Sequence, residues 1–136
     1  MRRSVLWDSS AIVAFLDADD ADHPRACDVS RAIARDHRPS FTTNFVQAEA
    51  HALLLRKLGR RPAREWLVGG GLAVVRIQPF HEERAREILL RYDDKDFSLC
   101  DALSFAVMEA RSVRTAFSFD HHFRQYGRFE VLGLPR

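Results

Sequence analysis

Two cysteines, Cys27 and Cys100, are all the thiols in the chain, and they match neither a zinc-ligand nor a redox spacing. That scarcity excludes a disulfide framework and a thiolate metal site, and it predicts reduced thiols in a cytoplasmic protein. Apolar runs such as AIVAFL at 11–16 fall far short of the ~20 residues a membrane-spanning helix needs, so no membrane partner is expected. The basic start Met1-Arg2-Arg3 is like a signal peptide only until Asp8 and Asp17 break the apolar stretch behind it. Glycine is sparse, and Gly69-Gly70-Gly71 lacks the lysine and following pattern of a phosphate-cradling loop. There is no excess charge of either sign: the net value is +2, too small to hold nucleic acid by bulk attraction. Lysine itself is almost missing. Nineteen of the 21 basic residues are arginine, the side chain suited to bidentate contact with phosphate.

What remains is ample for one core. With 136 residues and 46% hydrophobic content, a single domain spanning 1–136 is expected. Val5–Trp7 reads as a short buried strand, followed by a helical apolar face at Ile12, Val13, Phe15 and Leu16. An acidic turn at 17–22 precedes a helix over 24–36, opened by Pro24. Residues 38–42 are a weak strand candidate; Thr43 or Asn44 then caps a helix that Gly59 stops after Leu58. Pro62 opens another helix that ends at Gly69-Gly70-Gly71, and residues 72–77 form the clearest strand pattern. Helices over 79–92 and 98–111 follow, then a strand over 115–119, a helical turn or two over 120–126 and a last strand over 129–132. Strands separated by helices, with no hairpin signal, predict a three-layer α/β/α sandwich around a central, mainly parallel sheet.

Four acids stand out against this background: Asp8, Glu49, Asp101 and Asp120. Asp8 closes the strand Val5–Trp7, and Asp120 closes the apolar stretch at 116–119. In a parallel sheet those are the carboxyl ends, where ligands bind. Either could equally be a helix N-cap. Glu49 shares helical spacing with Phe45 and Leu53, which places it on an apolar face. Asp101 fits a capping box with Ser98, yet it also borders the stripe Ser104, Phe105 and Met108. Four carboxylates brought together repel, by roughly 4 kcal/mol per pair at ~4 Å and an effective dielectric near 20, and a divalent cation is the simplest compensation. His121 and His122, beside Asp120, read as two histidines of a short surface helix.

The order and separation of these acids resemble the PIN-domain nucleases, particularly the toxins of bacterial VapBC toxin–antitoxin pairs. The resemblance runs through VLWDSSAIVAFLD at 5–17, TTNFVQAEAHALL at 42–54, DKDFSLCDALSF at 94–105 and AFSFDHHF at 116–123. It implies that Asp8, Glu49 and Asp101 occupy the three most regular acidic positions of the family and Asp120 the fourth, more variable one. Ser9, Thr43, Ser98 and Ser118 fall near positions that often carry small hydroxylic residues, as partners to the carboxylates. The resemblance further implies an RNA substrate, growth arrest through damage to translation, a homodimer, and an antitoxin whose C-terminal segment covers the acidic cleft.

Hard carboxylate donors suit Mg²⁺ or Mn²⁺, and the lack of a Cys/His cluster argues against zinc. Metal-assisted hydrolysis of a phosphodiester is the chemistry this set can do. It does not use a 2′-hydroxyl, so the residues alone leave RNA and DNA both open. A processing nuclease without an antitoxin, or a PIN-like module that binds without cleaving, are the alternatives. A phosphorylatable receiver is not, because neither Lys57 nor Lys95 lies near the end of a late strand. Arg2, Arg3, Arg38, Arg124 and Arg128, nearest in sequence to strand ends, are the candidate phosphate grips.

Overall fold

The computed structural model describes residues 3–135. Its elements follow in the order β1 (Val5–Trp7), α1 (Ser9–Leu16), α2 (His23–Arg35), β2 (Ser40–Thr43), α3 (Asn44–Leu58), α4 (Arg60–Gly69), β3 (Ala73–Val75), α5 (Pro79–Arg91), α6 (Leu99–Ala110), β4 (Thr115–Ser118), α7 (His121–Tyr126) and β5 (Glu130–Gly133). The strands form one five-stranded sheet in the order β3-β2-β1-β4-β5, and every registered pair is parallel.

Side-chain alternation along the strands builds the two cores. Leu6, Phe41 and Ala116 are register partners, and they pack on one face with Ile88 of α5, Leu103 and Phe105 of α6 and Phe123 of α7. Val5, Trp7 and Phe117 point the other way and pack with Ile12 of α1, Val29 of α2 and Val46 of α3. The expected α/β/α sandwich is therefore present. A smaller cluster of Val13, Leu54 and Ala63 ties α4 to α1 and α3.

Two elements exchange their expected prominence. The clear strand pattern at 72–77 yields only the three residues of β3, half-exposed at a sheet edge, whereas the weak candidate becomes β2, held between β1 and β3. Strand propensity measures how well side chains fit a pleated, half-buried surface, not where the strand lies in the sheet. The polar residues that weakened the β2 pattern have local uses: Thr42 Oγ1 donates to the Trp7 carbonyl (2.9 Å) and Thr43 Oγ1 accepts from Val46 N (3.0 Å), capping α3.

The strand order fixes where a site can form. From β1 the chain moves through β2 to β3 on one side, then returns to lay β4 and β5 on the other. The order reverses between β1 and β4, and in open parallel sheets ligands bind in the crevice outside the carboxyl ends at that point, which here is beside Asp8 and Asp120. At Gly133 the backbone of β5 passes so close that a Cβ would lie 2.7 Å from the Ser118 carbonyl, and φ is +110°. Glycine alone fits there, which lets β5 close against the strand end that carries Ser118.

Candidate metal centre

Asp8 occupies the N-cap position of α1 but makes no side-chain capping bond. Its Oδ2 instead accepts from Ser118 Oγ (2.9 Å) and Ser10 Oγ (3.1 Å). Ser118 Oγ in turn accepts from Asp120 N (3.0 Å), and Ser10 Oγ accepts from Phe119 N (3.0 Å). The two serines thus lock the start of α1 to the end of β4. The Asp8 carboxyl is 3% exposed, and burial, reinforced by the negative charge of Asp101, pushes its pKa up to about 7.

Asp101 serves the capping box and the crevice together. Its Oδ2 accepts from Ser98 N (3.0 Å) and from His122 Nδ1 (2.7 Å), while Ser98 Oγ accepts from Asp101 N (3.1 Å). Asp120 caps α7 by accepting from His122 N at Oδ1 (2.9 Å), and the same oxygen lies 3.3 Å from His122 Nδ1. Ligand-capable atoms of Asp101, Asp120 and His122 all lie within 4.8 Å of one another.

Glu49 arrives differently from the sequence expectation. The buried face of α3 is Val46, Ala50 and Leu54, whereas Phe45 and Glu49 are exposed. Leu53 of that stripe packs at the edge of the core against Val13, Leu54 and Ala63, Phe45 is exposed, and Glu49 turns to the start of α1. There Glu49 Oε1 accepts from Ser9 Oγ, and the Cys100 thiol donates to its carboxylate. Ser9 adjoins Asp8 and Cys100 adjoins Asp101, so Glu49 joins the same group through both neighbours. Burial, then the charges of Glu49, Asp8 and Asp101, push the Cys100 thiol far up, which removes it as a nucleophile.

His122 is the residue that sequence reading assigned wrongly. It is not a plain surface histidine: its side chain is only 26% exposed and bonded to Asp101. The available signal was its position one residue beyond His121 in the first turn of a helix capped by an acid. Ser10 was also missed, being one residue further along α1 than Ser9 and so on another face. Thr43, expected beside the acids, instead spends its hydroxyl on the α3 cap. Ser9, Ser98 and Ser118 do contact them.

Of the proposed phosphate grips, Arg2 lies outside the described residues. Arg38 Nη2 donates to Thr115 Oγ1 (2.9 Å), at the first residue of β4, and Arg3 Nη2 to the Asp36 carbonyl (2.6 Å). Arg128 pairs with Glu109 (3.5 Å) just before β5. These three sit at the amino ends of the strands, opposite the crevice; proximity in sequence to a strand end does not say which end, and a parallel sheet makes the two unlike. Arg124 is exposed on α7. In the acidic link, Asp94 pairs with Lys95 (3.1 Å), and Asp96 is exposed. Among the described residues no helix is long and apolar enough to cross a membrane.

The donor set fits a hard divalent cation. It consists of carboxylates with one imidazole, and the buried Asp8 beside it is pushed up to about 7 by burial and by the charge of Asp101, a cost that a bound cation would relieve.

A family model described as the PIN domain matches residues 5–129. Over 130 residues the chain is 35% identical to the 23S rRNA-specific endonuclease VapC20 of Mycobacterium tuberculosis, covering 93% of this chain and 97% of the relative. The crystal structure of that protein, described as a sarcin-ricin loop cleaving toxin, superimposes with a TM-score of 0.81 at 32% identity, over 93% of this chain and 98% of the other. VapBC2 from Rickettsia felis, solved bound to a promoter DNA fragment, shares the fold, with a TM-score of 0.70 at 10% identity over 94% of this chain and 96% of that one.

Proposed function

From the premise that this chain belongs to the PIN-domain family, we propose that it is a Mg²⁺- or Mn²⁺-dependent endoribonuclease, the toxin of a toxin–antitoxin pair, with large-subunit ribosomal RNA as substrate. The observation that carries the reading is the grouping of Asp101, Asp120 and His122 within 4.8 Å, with the nearby Asp8 carboxyl pushed up to about 7 by burial and then by the charge of Asp101. The substrate is taken from the 35% identical relative.

A divalent cation held by these acids would supply charge neutralisation on the phosphate and activation of a water for in-line attack. The chain's own part is to hold donors still. Ser118 and Ser10 fix Asp8, Ser9 fixes Glu49, and Ser98 with His122 fixes Asp101. Asp8 would have to be deprotonated to hold the cation, so binding would strengthen as pH rises through about 7. The test is to incubate the purified chain with intact ribosomes and map the new RNA ends. One cut in a single large-subunit loop is expected, and it should vanish in Asp101→Asn. Scattered cuts, or ends only in DNA, would refute the substrate assignment.

An antitoxin is the proposed partner, supported by solved neighbours that are toxin–antitoxin assemblies. The surface that suits it is an apolar groove of about 460 Å³ along α1, lined by Trp7, Ile12, Phe15, Leu16, Ile33 and Trp66. Phe15 and Leu16 are each 37% exposed, and the buried Trp7 Nε1 has no hydrogen-bond partner. At 1.5 Å per residue the far end of α1 is ~12 Å from Asp8, so a few extended residues leaving the groove would reach the acids. Leu16→Glu should keep RNA cleavage within about twofold yet weaken neutralisation by the co-expressed partner at least tenfold, the cost of roughly 1.4 kcal/mol at one anchor. Unchanged neutralisation would move the partner elsewhere. The homodimer belongs to the same proposal and is read from light scattering of the free chain.

A further inference from the structure

We propose that His122 is a positioning residue for Asp101, aiming one carboxylate oxygen at the metal by occupying the other; this rests on the metal-dependent reading above. Asp101 Oδ2 already receives two donors, Ser98 N at 3.0 Å and His122 Nδ1 at 2.7 Å. A carboxylate only accepts, so the bond requires the hydrogen on Nδ1. With Oδ2 engaged twice, Oδ1 is the oxygen left for the crevice.

His122 is itself held from two further directions. Its backbone N donates to Asp120 Oδ1 (2.9 Å), so the fourth acid sets where the residue begins. Its ring meets Phe97 edge to face, with centroids 5.6 Å apart and planes at 79°. Phe97 is 8% exposed and packs against Phe105 and Tyr126. The aromatic core beneath α6 and α7 thereby sets the imidazole, and the imidazole sets Asp101. Direct ligation by Nδ1 would require the ring to give up its 2.7 Å bond, and ligation by Nε2 is the alternative that ¹⁴N coupling to bound Mn²⁺ tests. Carboxylates that ligate a metal are themselves held by hydrogen bonds, and loss of such a partner weakens metal binding.

The test uses full-length wild type, Asp8→Asn, and the series His122→Ala, His122→Asn and His122→Gln. Mn²⁺ binding is followed by the electron paramagnetic resonance of the free ion, and cleavage by kcat and KM at several Mn²⁺ concentrations. His122→Ala should bind Mn²⁺ about 10–100-fold more weakly, with activity recovering at saturating Mn²⁺, while His122→Asn should stay within about threefold of wild type. The asparagine amide places a donor where Nδ1–H stood, whereas glutamine mimics Nε2 and should not rescue. Asparagine and alanine both remove the ring from Phe97, so their difference isolates the hydrogen bond from packing, and metal-free melting temperatures check this. Wild-type affinity in His122→Ala, rescue by glutamine but not asparagine, or coupling of a directly bonded ¹⁴N to bound Mn²⁺ would overturn the proposal alone. No Mn²⁺ binding by wild type, or equal binding by Asp8→Asn, would overturn the metal reading and this inference with it.

Discussion

Asp8→Asn should reduce RNA cleavage by about 10³-fold or more and, without metal, make the folded chain more stable at pH 8. The first effect follows from the several kcal/mol of charge stabilisation that a bound metal gives a phosphodiester transition state, each 1.36 kcal/mol being tenfold in rate. The second follows from linkage. The folded pKa of Asp8 is raised to about 7 from a reference of 3.8. Its contribution to stability is therefore fully present below the unfolded pKa and is lost as pH rises through about 7. The shift of about 3 units corresponds to ~4 kcal/mol at most. Asparagine keeps the shape and an acceptor for Ser118 Oγ but does not titrate. The metal-free stability of wild type minus that of the variant should thus fall between about pH 4 and pH 8, a difference that cancels the other carboxylates. Melting curves at pH 5 and pH 8, beside single-turnover cleavage, measure both effects. A variant less stable at pH 8 that still cleaves would make Asp8 a structural acid.

Chelation should abolish cleavage, and Mn²⁺ or Mg²⁺ should restore it. The carboxylates supply no electrophile themselves, and the arginines with defined partners nearest the strands lie at their amino ends. Only the folded chain brings Asp101, Asp120 and His122 within 4.8 Å of one another, so metal should also raise thermal stability, by about 2.7 kcal/mol at 100 times Kd. For a chain of this size that is roughly 8 °C in Tm. The rise should shrink below pH 7, by about tenfold in apparent affinity per pH unit, because the proton on Asp8 competes. Full cleavage in excess chelator, or a Tm indifferent to metal, would refute the mechanism.

Much of this molecule is written in local pattern. The short strand ending in Asp8, the Ser98–Asp101 capping box, the stop at Gly59 and the helix opened by Pro79 depend on residues within a turn or two of one another, and each forms where the pattern predicts. The acids were legible for the same reason, since a carboxylate beside an apolar stripe is conspicuous at any distance from its partners. What the sequence could not reveal depends on strand order. Ser10 and Ser118 are 108 positions apart and share Asp8 only because β4 lies beside β1. His122 reaches Asp101 only because α6 and α7 lie on the same side of the sheet. Arg38 ends at Thr115 because parallel strands gather all their amino ends together, away from the acids. Periodicity encodes which side chains are buried, and residue type encodes what they can do. Which of them meet is decided by the energy of packing two faces of one parallel sheet, a sum over contacts that no single segment contains.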